Sequence, residues 1–294
     1  MYLAIQGLMP SNLNDVTDET VNKIRDFGFA GVACRYQQPL ITTKSETEKL
    51  RTILESGGVK PCQVNANNPD LISSDRNLRQ EGIRVMQYMC KVTRWLNADT
   101  LYLRPGSINP NGSWYPHPDN YKPETFQVLI ESVKEICIEA EAQGIKLAVE
   151  GHVLSILNTP EKIKEFIEKI GSSALGFNMD PVNFVGSLSQ AYDTSSLLEH
   201  LFDVLGTYTI SGHAKDFIVE NKLVLHIEEE AIGYGLLDHK SFLINFQKYC
   251  SDGYLMIEHL PDSKILEAGK ALYSLGIEAG VTWNTGEFIN ETQE

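Results

Sequence analysis

Eight times along the chain, a short apolar run is followed by a helical pattern, and this repetition limits the fold more than any other feature. The apolar runs are YLAIQG (2–7), FAGVACR (29–35), VKPCQVN (59–65), ADTLYLRPG (98–106), IKLAVEG (145–151), SALGFNMD (173–180), GTYTISGH (206–213) and DGYLMIEH (252–259). Most do not alternate polar and apolar residues. Such strands are buried on both faces, as in a parallel sheet covered by helices. Helical patterns are expected over 17–27, 45–56, 75–97, 124–143, from Thr159-Pro160 onward, and over 187–205, 238–249 and 262–275. A hydroxyl followed by proline is good helix-start chemistry, which supports the fifth of these. Residues 214–237 add a long segment that reads as a small hairpin including KLVLHI. Eight such units in 294 residues fit a (β/α)8 TIM barrel spanning 1–294 as one α/β domain. An open doubly wound sheet competes, but neither GxGxxG nor GxxxxGKS/T follows the first strand.

Composition narrows the function. The formal net charge is −14, which argues against nucleic acid as a partner. No apolar run reaches the roughly 20 residues of a membrane helix, and the opening MYLAIQG does not read as a secretory signal. Five widely spaced cysteines without a CxxC fit reduced thiols in the cytoplasm. A homo-oligomer is left open, since the tail beyond Trp283 could reach a neighbouring subunit or simply pack.

A barrel places its chemistry at the C-terminal ends of its strands. Those ends carry Gln6, Arg35, Asn65 with Asn67, Arg104, Glu150 with His152, Asp180, His213, and Glu258 with His259. Glu150, Asp180, His213 and Glu258 follow one another at 30, 33 and 45 residues, against about 30 residues for one βα repeat. Three carboxylates and one imidazole suit a single divalent ion such as Mn²⁺ or Mg²⁺, with Co²⁺ or Zn²⁺ as alternatives. Singly, each such residue reads as a solvated loop residue or a cap. Arg35, Asn67, Arg104 and Lys215 are candidates for substrate contact, although arginines often only pair with nearby carboxylates and Lys215 could pair with Asp216. Trp114 and Tyr115 could cover a sugar face or pack their own loop.

The segments LAVEGH, GFNMDPVNF, ISGHAKD, GYGLLDHKSF and YLMIEHL resemble the xylose isomerase-like barrels, especially the sugar isomerase and epimerase group that includes D-tagatose 3-epimerase. The resemblance implies that Glu150, Asp180, His213 and Glu258 hold one ion, usually manganese. It also implies that Glu150 and Glu258 act on the substrate, a small sugar or sugar derivative. By the same likeness, Gly233 and Gly235 shape a turn and Asp238 caps a helix. The chain departs from the ketose epimerases after His213, where AKD takes the place of a segment leading to a substrate-binding arginine; Lys215 could substitute. His152 is shared with other branches.

The implied chemistry is removal of a proton beside a carbonyl, through a metal-stabilised enediolate. Two carboxylates then serve as base and acid, with His152 able to replace one. Isomerisation or epimerisation follows from where the proton returns. A lyase, a dehydratase or a deglycosidase on an oxidised sugar uses the same intermediate. An endonuclease IV-like nuclease shares the barrel but requires more histidines at the strand ends than His152, His213 and His259.

Overall fold

The computed structural model describes residues 1–284. Strands β1 (Tyr2–Ile5), β2 (Gly31–Tyr36), β3 (Lys60–Ala66), β4 (Thr100–Leu103), β5 (Lys146–Val149), β6 (Leu175–Met179) and β7 (Thr209–Ala214) pair in parallel, each with the next. A hairpin follows, of β8 (Asp216–Val219) and β9 (Ile227–Glu230). Strand β10 (Tyr254–Ile257) then pairs with both β7 and β1 and closes an eight-stranded barrel. The TIM barrel expected from the repeats is therefore present.

Helices α1 (Asp18–Asp26), α2 (Lys44–Ser56), α3 (Arg76–Leu96), α4 (Pro123–Gln143) and α5 (Pro160–Ile170) fill the connections of the first half. Those of the second half are α6 (Leu188–Tyr192), α7 (Thr194–Leu205), α8 (His239–Tyr249) and α9 (Asp262–Ala279). Their starts obey local chemistry. Thr17 and Thr43 form capping boxes with Thr20 and Glu46, and Thr159 caps α5 ahead of Pro160. One large apolar cluster packs the strands against the helices. A separate small cluster of Ala4, Ala33, Cys62 and Met256 plugs the barrel interior. The interior is thus filled at this level, and the barrel is open at its mouth. Among the described residues no helix is long and apolar enough to cross a membrane.

Two expectations are corrected. The helical pattern over 187–205 is two helices, because Asp193 leaves the helical conformation and its side chain caps α7 by accepting from Ser196 N–H. The small hairpin expected in 214–237 is present, but KLVLHI lies almost wholly in its connection rather than in its strands. Only Ile227 of that run joins β9, and Leu223 and Val224 stand fully or largely exposed in the connection between the hairpin strands. An apolar β-rich run lacked the partner strand and packing surface that would have made it one.

Asp216 does not pair with Lys215; it organises the turn after the hairpin. Its buried carboxylate accepts from the N–H groups of Phe217, Gly233, Gly235 and Leu237 at 2.9–3.1 Å, and lies 3.1 Å from His239 Nε2. Gly233 has φ +89°, and a β-carbon at Gly235 would collide with the Asp216 carboxylate, so the glycine-rich turn is required where it stands. Asp238 caps α8 through Ser241 N–H, as the resemblance implied. Burial alone would raise the Asp216 pKa, but His239 and the backbone donors outweigh it and hold it below the ordinary carboxylate value. Its contribution is therefore present above about pH 4 and fades as acid protonates it. Asp216→Ala is expected to lower stability by about 3 kcal/mol at pH 7, measured by urea unfolding. The difference from wild type should shrink at pH 3.

Candidate metal centre and its cavity

The ends of β5, β6, β7 and β10 deliver Glu150, Asp180, His213 and Glu258 to one point. All four are buried, and each offers a ligand atom within 4.8 Å of the others. His213 Nδ1 faces Glu150 Oε2 at 2.9 Å, Glu258 Oε2 at 3.2 Å and Asp180 Oδ2 at 3.9 Å. Three carboxylates in so small a buried space repel one another. Asp180 shows it: burial pushes its pKa up, Lys215 works against this, and Glu150 and Glu258 push it up further. Its Oδ1 is buried and has no hydrogen-bond partner among the described residues. A divalent cation relieves both problems at once, and an oxygen-rich set with one imidazole is what such an ion accepts.

Glu150 and His213 are held by neighbours most of which the sequence reading missed. Glu150 accepts from Asn178 Nδ2 at 2.7 Å, Asn183 Nδ2 at 2.8 Å and Tyr102 Oη at 3.2 Å. Asn178 is in turn fixed by Ser211 at 2.6 Å. Behind the imidazole, Gln63 lies 3.3 Å from His213 Nε2, and the chain of amides continues through Asn65 at 2.9 Å to Gln6 at 3.0 Å. Gln63 Nε2, which also donates to Asn65, is the amide atom that faces His213 Nε2, and the Nδ1 edge of the ring is turned toward the carboxylates of Glu150 and Glu258. A signal for these residues existed. Asn178, Ser211 and Gln63 are polar side chains within otherwise apolar strands, and such residues belong in the lumen because the outer face packs on helices.

Lys215 is buried and is spent on this centre. Its Nζ lies 2.8 Å from Asp180, 3.3 Å from Glu258 and 3.4 Å from Glu229, and donates to Asn183 at 2.9 Å. Burial would lower the Lys215 pKa, but Asp180, Glu258 and Glu150 raise it well above the ordinary value. Burial also opposes ionisation of Glu258, yet His213 and Lys215 hold its pKa far down. The exposed Glu229, reaching in from β9, pairs with His259 at 3.0 Å.

A cavity of about 330 Å³ opens above the centre. Glu150, Glu258, His152, Arg35, Arg104 and Lys215 all line it, so the structure brings these sequence candidates together. Asn67 does not line it; Asn65 and Asn68 do. Asn67 lies exposed just past the end of β3, where it accepts from Arg35 and donates to Gln37. Trp114 forms a wall beside His152, with ring centroids 5.8 Å apart, whereas Tyr115 is largely exposed. Trp283 packs on Tyr273 at 6.1 Å. Burial and the Lys215 ammonium push His152 down to about 4, against the pull of Glu150 and Glu229. Its Nδ1 accepts from Leu154 N–H at 3.1 Å. The neutral ring therefore carries its proton on Nε2.

No curated protein sequence matches the chain. Solved structures do. A xylose isomerase-like TIM barrel protein from Mycobacterium smegmatis in complex with magnesium is 16% identical, with 95% of this chain and 96% of that one covered and a TM-score of 0.72. For D-psicose 3-epimerase with D-tagatose, from Clostridium cellulolyticum H10, the identity is 13%, the coverage 96% and 100%, and the TM-score 0.73. For the probable 3-DHS dehydratase of petrobactin synthesis from Bacillus anthracis they are 12%, 94% and 98%, and 0.70. At these identities the likeness establishes the fold. The family model of the xylose isomerase-like TIM barrel matches residues 21–277, nearly the whole barrel, and the chain belongs to that family.

Proposed function

We propose that this protein is a divalent-metal-dependent isomerase or epimerase of a small sugar derivative, acting by proton transfer at carbon beside a carbonyl. One observation carries the reading. Two glutamates from the outer strands of a four-strand ligand set, β5 and β10, have their carboxylates within one 4.8 Å cluster below a sugar-sized cavity. A divalent ion held by Glu150, Asp180, His213 and Glu258, which we take to be manganese, supplies Lewis-acid stabilisation of negative charge on a carbonyl oxygen. One glutamate removes the proton and the other returns one from the opposite side. Glu150 is held in place by Asn178, Asn183 and Tyr102, and Glu258 by His213 and Lys215. His152 presents Nε2–H to the cavity, so its role is to donate a hydrogen bond to a substrate oxygen.

The neighbouring epimerase and the magnesium-bound barrel support this reading, and the neighbouring dehydratase keeps elimination in view. Elimination needs an acid to protonate the departing hydroxyl. The candidates on the cavity are His152, whose Nδ1 is occupied by Leu154 N–H, and Lys215, whose Nζ is engaged by Asp180, Glu258 and Asn183. The test is incubation of the manganese-loaded protein in D₂O with free ketoses, ketose phosphates and keto acids. The expected result is deuterium on carbon in a recovered isomer of unchanged formula. A product lighter by one water establishes elimination instead. No exchange with any member of the panel overturns the proposal.

A further inference from the structure

We infer that the substrate carries an anionic group, a carboxylate or a phosphate, and that Arg35 and Arg104 receive it. This rests on the reading of the cavity as a substrate site and adds the class of substrate. The mouth of the barrel is divided by charge. The half built from β5, β6, β7 and β10 holds the carboxylates of Glu150, Asp180 and Glu258, with Lys215 already committed to them. The half built from β2, β3 and β4 holds two guanidiniums on the same cavity.

Neither guanidinium makes an ion pair with a carboxylate among the described residues, in a chain with 39 acidic and 25 basic residues. Both are held by neutral amides instead. Arg104 Nη2 donates to the Asn68 carbonyl at 2.8 Å and to Asn68 Oδ1 at 3.2 Å, and its Nε is buried without an acceptor among the described residues. Arg35 Nη2 donates to Asn67 Oδ1 at 3.2 Å, and Asn67 is itself tied to Gln37 at 2.6 Å. Such contacts orient a guanidinium without neutralising it. Arginines that serve the fold are usually paired, whereas arginines that recognise carboxylate or phosphate present a free planar edge. A neutral sugar leaves both charges partly desolvated and uncompensated, which is unfavourable. An acidic substituent at the end of the molecule remote from the reacting carbon completes the site. The reacting carbon then lies over the metal ligands.

The test uses manganese-loaded full-length protein and three unreactive open-chain probes: sorbitol, gluconate and sorbitol 6-phosphate. Binding is measured by calorimetry. One of the two anions is expected to bind about 100-fold more tightly than sorbitol, and which one it is identifies the anionic group. Arg35→Gln and Arg104→Gln should each cut that preference about tenfold or more, with Arg→Lys intermediate. Should Arg104→Gln fail to fold, Arg104→Lys and the exposed Arg35→Gln still decide the question. Equal binding of all three probes overturns the inference. So does an anion preference that neither arginine affects, because the acid is then held at the metal ligands. If the arginine-dependent preference is found but no ketose, phosphate or acid exchanges a proton, the anion site stands and the isomerase reading falls.

Discussion

Glu150→Gln and Glu258→Gln are each expected to lose proton exchange at the substrate carbon by about 10²- to 10⁴-fold while still folding. The two variants should differ in their side effects. The oxygens of Glu150 face three donors, on Asn178, Asn183 and Tyr102, so an amide NH₂ placed there meets another donor. A lower melting temperature is therefore expected for Glu150→Gln. Glu258 faces Lys215 and His213, and an amide oxygen still suits them. His152→Asn should cost about tenfold, the loss of one hydrogen bond to substrate, because His152 Nδ1 is occupied and its ring is a donor. The comparison is deuterium exchange per metal-loaded site. If both glutamine variants keep their metal and exchange at the wild-type rate, the two-carboxylate mechanism is wrong.

Removal of the ion by a chelator is expected to abolish activity, and manganese at a hundredfold excess over its Kd to raise the melting temperature by about 5–10 °C. The rise comes from linkage, because the folded chain gathers ligands that the unfolded chain scatters. It should be large for a buried centre in which Asp180 is fully enclosed and Asp180 Oδ1 has no other partner among the described residues. Asp180→Ala should remove the manganese-dependent rise. Gln63→Leu leaves all four ligands in place but releases the back of the His213 ring, so metal affinity should fall by about 10- to 100-fold. Differential scanning fluorimetry with metal titration measures all three. An unchanged manganese response in Asp180→Ala counts against the ligand set.

Much of this arrangement is legible in the chain because parallel barrel strands are short, apolar and followed at once by the residue that faces the mouth. Glu150, Asp180, His213 and Glu258 stand out for that reason, each the first ionisable group after or at the end of a run of buried residues. The supporting network was less legible. Tyr102 and Asn183 look like ordinary strand and loop residues until their distance to Glu150 is known. Asn178 and Gln63 interrupt apolar strands, but a single polar residue in a strand does not say what it touches. Asp216 was harder still. Its partners at Gly233, Gly235 and Leu237 lie beyond a hairpin, 17 to 21 residues along the chain, where no local pattern links them to it. Local propensity describes a segment, whereas the exposed Leu223 and Val224 reflect an absence of tertiary partners.

The position of the two charged territories along the chain has an evolutionary and practical consequence. Every residue of the acidic centre follows Ile145, and Gln6, Arg35, Asn65, Asn68 and Arg104 precede it. On the proposed reading, the front half supplies the residues that recognise one end of the ligand, and the back half supplies the two glutamates and the metal ligands. Exchange of the front half with that of a related barrel, joined between α4 and β5 and keeping Gln63 and Tyr102, which support His213 and Glu150 from that half, would graft a new recognition surface onto the same four acidic-centre residues. Selectivity in this molecule could then diverge by recombination of two inherited pieces, with no change to the residues that move the proton.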